Sequence, residues 1–566
     1  MKLLSVLCVL CGLVGPTLAL DREAFIFTNY DLDVRVEPEQ QRLGVRGRIT
    51  LRNDSDASQK NVVLQISSSL NWRSIQIGGQ PVEFVSHEYT SDIDHTGALS
   101  EAIVTLPREV PPKGVVELDV GYEGIIPLDV TRLKQIGVPE DKARHTDWDQ
   151  IGKQFSAVRG IGYVAWYPVA TESASLSEGN SVAETVGRWK IRHTDTKMEL
   201  LFRSTVDTPI FFSGTASGAV VQVDPSIKKI FAFTMVKPGI SVPTFVIANY
   251  EKLAPKDLLT VLYLPGQEEG AKDYGEIASN IDPILPVGRG WSGLRILSLP
   301  DPDAASFVTE GMLLCSLRSP VTNEGTLDIV YAKARHLVLS PRAWIQDGLA
   351  HYAQPAFIEE QAGRQAALDY LIAHRAPLIE AEKPGKQHAA GWEAANSLIN
   401  APDDLYLQTK AMNVWWMLRD LLGNPTLGVL LDYRAVDDQD ASYMQRVIEK
   451  KTGRDLQWFF DDWVYRDRGL PDFRVDSVYP RPIVGGGFMV TINVENLGDA
   501  GAEVPLTLRT ESGDVTKRLE VHAKSKAAVR IEATTMPLEV VVNDGSVPES
   551  DVSNNVFKIP PPDAAK

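Results

Sequence analysis

The sequence predicts a multidomain α+β protein, β-rich at both ends and helical in the middle. Three observations carry that reading. Residues 20 to about 250 run in short alternating apolar and polar stretches divided by turn residues. From Asp328 onward the apolar residues recur at helical spacing, and helical patterning extends to about residue 470. Alternating runs then return over 475–560, with turn signals at the roughly 8–12-residue spacing of a β-sandwich. At 566 residues the chain is long enough for several domains with ample core.

Residues 1–19 read as a secretory signal, with Lys2 as the positive start, Leu3 to Val14 as a short apolar run, and Thr17-Leu18-Ala19 as a small-residue cleavage site. That run is short for a membrane span; retention as an anchor is the alternative. No later run reaches about 18 apolar residues, so no transmembrane segment is expected after cleavage. Cys8 and Cys11 lie in the signal, which leaves Cys315 alone and excludes an intrachain disulfide. A secreted or periplasmic location, in a bacterium, suits that cysteine usage. The formal charge of −17 argues against nucleic acid as a partner.

Residues 20–252 form the expected N-terminal β-domain. FIFTNYDLDVRVEPEQQRLGVRGRITLRND, WKIRHTDTKMELLFRS and FAFTMVKPGISVPTFVIANY supply its strands, and Trp166 and Tyr167 read as core aromatics. Residues 253–474 open with the strand LTVLYLPG, a helix over Asp273–Leu285 and the strand LRILSLPDP. Cys315, in the apolar run GMLLCSL, reads as a buried small hydrophobe. The segment DIVYAKARHLVLSPRAWIQDGLAHYAQ, Asp328–Gln354, reads as two helices. Val330, Ala334, Leu337 and Val338 form the apolar face of the first; Ser340 and Pro341 cap and start the second. Lys383 to Asp403 reads as a loop region, and TKAMNVWWMLRDLLG as a further helix with Trp415 and Trp416 in the core. Residues 475–560 form an immunoglobulin-like β-sandwich and 561–566 a disordered tail.

Three of these stretches carry a resemblance. WIQDGLAHY, TKAMNVWWMLRDLLG and the W-F-F element of DLQWFFDDWVYRDRGLPDF resemble the membrane alanyl aminopeptidase family, the gluzincin zinc metallopeptidases. The resemblance implies an N-terminal β-saddle, a thermolysin-like α/β catalytic-type domain with a helical bundle, and the immunoglobulin-like third domain. It also implies a zinc site built on H-E-x-x-H, in which two His one turn apart bind the metal and the Glu polarises its water. Laid on this chain, that motif falls on Ala332, Lys333 and His336, and the third ligand on Asp347. Ala332 has no donor atom, and Lys333 has the wrong charge for a general base. Only ten residues separate His336 from Asp347, a shorter spacer than the family's.

The family's amine-binding strand falls on Glu310, Gly311 and Met312, the expected binding cleft, with Glu310 as an offset substitute for the family's Glu or as a turn residue. Its oxyanion tyrosine falls on Gln408, with Tyr406 two residues upstream as the alternative. His336, Asp347 and His351 are the candidate ligands of a rebuilt metal site. Each has a structural alternative: a core histidine for His336, pairing with Lys333 or Arg335 or helix capping for Asp347, and solvation for His351. A Lys333–Asp347 pair would place an ammonium at the vacated metal position. No cofactor is expected, with zinc as the alternative.

The expectation is a degenerate, secreted aminopeptidase-like pseudoenzyme that binds a peptide or protein ligand. An active zinc metallopeptidase with a remodelled site, and a structural or adhesion protein of the cell envelope, are the two rivals. The sequence gives no oligomeric state.

Overall fold

The computed structural model describes residues 20–217, 224–236, 241–253, 259–281, 293–381, 397–423 and 428–560. The expected signal segment, the expected tail at 561–566 and much of the expected 383–403 loop region lie outside those residues. The fold is multidomain α+β, as the patterning predicts.

Alternation with a period of two buries one face of each long N-terminal strand. Phe25–Glu37 sends Leu32, Val34 and Val36 inward, and Arg42–Asn53 sends Leu43, Val45, Ile49 and Leu51. These strands sit at the middle of an eight-stranded sheet. From the Phe25–Glu37 strand, Lys197–Ser204 and Lys229–Val236 lie on one side, and Arg42–Asn53, Val115–Ile125 and Leu70–Ile77 on the other. A three-stranded sheet of Gln59–Ser67, Phe84–Thr90 and Ala98–Val110 packs on the same core, which encloses Trp166 and Tyr167 completely.

One stretch expected as strand is helix. Ser181–Arg192 is α-helical, so Trp189–Arg192 belong to it and the strand begins at Lys197. Val182, Val186 and Trp189 fall at i, i+4 and i+7, a helical face that the β pattern downstream obscures.

The middle region starts on a five-stranded sheet. Leu259–Tyr263, Leu294–Ser298 and Met312–Cys315 run parallel in that order, with antiparallel edges at Glu251–Lys252 and Phe307–Thr309. The helix between the first two strands is Glu268–Asn280, five residues earlier than expected at its start. Cys315 is buried, and burial pushes its thiol well above the usual range.

The two helices read from Asp328–Gln354 are Asn323–Leu337 and Ala343–Ala362. The first is capped by Thr322, whose side chain accepts from the Gly325 N–H. The second begins after Arg342, not at Ser340-Pro341. Ser340 Oγ accepts from the Arg342 N–H at 3.1 Å and lies 2.8 Å from the Tyr433 hydroxyl, so it ties the linker to a later loop. Ala343–Ala362 packs on Asp404–Leu422 at close range. A Cβ on Gly348 would stand 2.7 Å from Ala411 Cβ, which explains a glycine directly after Asp347. Trp415 stacks on Trp344 with centroids 5.5 Å apart and donates to the Trp344 carbonyl at 3.1 Å.

The C-terminal strands make a three-stranded and a four-stranded antiparallel sheet. Their core is continuous with that of the helices: one cluster runs from Val330 through Trp415 and Trp463 to Val542 and Val547. Trp463 Nε1 donates to the Gly501 carbonyl at 2.7 Å, and Asp462 accepts from the Gly501 N–H at 2.9 Å. No helix among the described residues is long and apolar enough to cross a membrane.

Candidate functional site

A cavity of about 420 Å³ opens where the N-terminal sheets meet the helices. Ile161, Tyr163 and the Ser181–Arg192 helix make one wall. Tyr331, Arg335 and Asp347, with Asp404 and Gln408, make the other, and Phe307, Val308 and Val242 close the floor.

Tyr331 and Arg335 are one helical turn apart and share the face of Asn323–Leu337 that looks into the cavity. Arg335 Nε donates to Asp347 Oδ1 at 2.7 Å, and its terminal nitrogens reach Ser241 Oγ at 3.3 and 3.4 Å. The side chains of Arg335 and Asp347 are only 8% and 16% exposed. Burial would pull the Arg335 pKa down, but the adjacent Asp347 carboxylate outweighs it and holds the guanidinium above its ordinary value.

A second pair crosses the cavity. Lys190 Nζ, from the N-terminal region, lies 2.6 Å from Asp404 Oδ2 at the start of the Asp404–Leu422 helix. Burial opposes the Lys190 charge, and Asp404 and then Asp347 overcome it. Asn180 Nδ2 donates to Asp403 Oδ2 at 2.6 Å beside it. The cavity thus sets two ammonium or guanidinium groups against two carboxylates.

The expected site residues distribute differently from the expectation. Lys333 does not pair with Asp347. Its Nζ donates to the Ala278 and Ile281 carbonyls, both at 2.7 Å, and so satisfies the C-terminal end of Glu268–Asn280. Ala332 and His336 are on a different face from Tyr331 and Arg335. Ala332 is buried against the five-stranded sheet, and His336 Cε1 stands 3.7 Å from where a Gly311 Cβ would be. Met312 is fully buried in a strand, and Gly311, at φ +65°, turns the hairpin. Neither lines the cavity. Glu310 is placed between Arg295 and Arg335, and burial pushes its carboxyl above the usual range against the pull of both.

Tyr406 also points away from the cavity. Its hydroxyl accepts from Lys410 Nζ at 3.0 Å, and Lys410 pairs with Asp467 at 2.9 Å in a buried cluster. Gln408 does line the cavity. His351 is half-buried: its ring lies 4.6 Å from that of Tyr331, and its Nε2 is sealed from solvent. Burial pushes its pKa down to about 4, so the imidazole is neutral at pH 7.

His336, Asp347 and His351 are not brought together. Among the described residues the group of ligand-type side chains that does close up is His145, Asp301 and Asp303, outside the cavity lining. There His145 Nδ1 lies 2.6 Å from Asp301, and Arg318 pairs with Asp303.

Zinc needs three or four lone-pair donors. Here the helix presents a phenol and a guanidinium toward Asp347, and a guanidinium carries only N–H donors and a positive charge. These residues do not fit the metal. The misplaced motif has a physical cause. His336 shares the face of Ala332, and the burial of Ala332 against the five-stranded sheet turns Tyr331 and Arg335, each one residue back, toward the cavity.

No family model and no curated protein matches the sequence. Among solved structures, a mutant of the M1 zinc metallopeptidase of Deinococcus radiodurans aligns with TM-score 0.45 and 15% identity over 80% of this chain and 96% of that one. Another structure of that peptidase gives 0.44 and 14% over 76% and 92%. The mutant bound to a Tyr-Ser-Ala substrate gives 0.44 and 16% over 78% and 94%. At that level of likeness the site rests on its own residues.

Proposed function

We propose that this chain is a peptidase-like binding protein, a degenerate relative of the gluzincin aminopeptidases, that holds a peptide or protein ligand in its cleft without hydrolysing it. In this reading residues 20–252 are the saddle, 253–474 the thermolysin-like domain and 475–560 the immunoglobulin-like domain. The protein is secreted or periplasmic after cleavage of its signal.

The observation that carries the reading is the Arg335–Asp347 pair. The Asp347 carboxylate of the W-x-x-D-G helix is already neutralised by the nearly buried guanidinium of Arg335, at 2.7 Å. Among the described residues that line the cavity, the two carboxylates, Asp347 and Asp404, are each paired with a cation. The cavity still has aromatic walls, hydrogen-bonding groups and paired charges, the composition of a binding site.

The test is metal content and peptide cleavage of the mature protein after exchange into metal-free buffer and re-addition of zinc. The expected result is zinc well below one per chain, with no cleavage of a mixed peptide library. Stoichiometric zinc, lost on His336→Ala or Asp347→Ala, would overturn it.

A further inference from the structure

Part of the solvent face of the eight-stranded sheet carries charge of the opposite sign to the chain as a whole. A depression of about 680 Å³ there is lined by five arginines and three carboxylates, and by no lysine. The whole chain has a net charge of −17.

The strand register builds this surface. In one cross-strand row Asp33 stands opposite Arg46, and Arg46 opposite Gly121. In the next row Arg203 stands opposite Arg35, and Arg35 opposite Gly44. Gly44 leaves out a side chain at the centre, where a Cβ would meet only Glu123 Cβ at 3.9 Å, whereas Ser74 Oγ fills the place beside Gly121. Like charges directly opposite each other, as Arg203 and Arg35 are, oppose pairing of their strands. Local carboxylates relieve that: Arg203 pairs with Asp33 at 2.7 Å and Arg35 with Glu37 at 2.6 Å. Glu123 is shared between Arg42 and Arg73. Arg46, exposed at the centre, has no ion pair or side-chain hydrogen bond among the described residues.

We propose that this face docks an acidic peptide segment of a partner protein, with Arg46 as its central contact. Guanidinium forks suit bidentate carboxylates. Arg35 and Arg203 stand opposite each other on adjacent strands, whose backbones run about 4.8 Å apart, and Arg42 and Arg46 are four residues apart on the next strand, about 13 Å along it. An extended peptide presents the side chains of one face at multiples of about 7 Å, so every second one of them meets the Arg42–Arg46 spacing. The interleaved carboxylates favour exchange of one carboxylate for another over binding of a compact multiply charged anion. This surface is separate from the cleft, so its failure would leave the reading of the cleft untouched.

The experiment is fluorescence anisotropy of a labelled hexaglutamate peptide against the full mature protein at low salt. Two variants address the surface and one serves as a control. R46E reverses the central charge. Gly44→Leu fills the depression without changing charge; a Cβ at Gly44 meets only Glu123 Cβ, at 3.9 Å. R481E places the same charge change on an exposed position elsewhere. The expected result is saturable, salt-sensitive binding that weakens about tenfold or more in R46E and in Gly44→Leu and is unchanged in R481E. No binding of hexaglutamate, or equal loss in R46E and R481E, would overturn the proposal. So would a sulfated oligosaccharide that binds where hexaglutamate does not.

Discussion

Arg335 has two stabilising roles in one position: its charge meets Asp347, and its burial holds the two cleft helices together. Arg335→Ala leaves Asp347 nearly buried without its cation and is expected to cost about 3 kcal/mol. The double variant Arg335→Ala/Asp347→Ala should cost less than that single one, because no unpaired charge remains. Urea denaturation of the native protein and these two variants measures the difference. His351 acts in the other direction. Its folded pKa of about 4 lies below its ordinary 6.5, so the unfolded chain binds more protons between those values. Its contribution is complete above pH 6.5 and is lost as pH falls toward 4, by up to about 3 kcal/mol. His351→Phe should narrow the gap in unfolding free energy between pH 7 and pH 4.5 relative to the native sequence.

The loop Asn543–Asn555 between the last two strands shows what an element can impose on a titrating group. Glu549 is buried there and accepts from the Asn543 and Asn555 side chains and from the Phe473 N–H. Burial raises its pKa to about 7, against the pull of those donors. Here the folded state holds the proton more tightly than the unfolded chain. The contribution is complete below about pH 4.5 and is lost as pH rises through 7. Thermal unfolding between pH 6 and pH 8 should therefore show a falling midpoint that Glu549→Gln flattens. The helices of the cleft show a different dependence on neighbours. Asn323–Leu337 presents Tyr331 and Arg335 to the cavity because Ala332 and Ile329 are buried against the five-stranded sheet. Its rotation belongs to that packing.

At the scale of the molecule, the third set of strands is part of the helical core. Phe459, Phe460 and Trp463 share one cluster with Val490, Val504 and Val540. A chain ending at residue 474 would expose those aromatics, and it is expected to aggregate or to lose cooperative unfolding. Gel filtration and calorimetry of residues 20–474 against 20–566 would reveal it, and a folded monomeric 20–474 would refute it. Loss of partner binding on such a deletion would accordingly report unfolding as readily as a lost docking surface.

Local patterning determined much of this protein by itself. Period-two alternation specified the long strands and their buried faces, since a strand's two faces alternate whatever it pairs with. The apolar spacing in 328–354 specified two helices, and Trp166, Trp415 and Trp416 read as core, where the structure buries them. Two things were decided by tertiary structure. The rotation of the Asn323–Leu337 helix depends on which side the sheet buries, and it replaces the pairing expected of Lys333 with one made by Arg335. The arginine depression on the N-terminal face depends on register between strands as far apart as residues 35 and 203, and register is a property of the assembled sheet. In both cases the deciding interaction joins residues distant in the chain, where no local spacing records it.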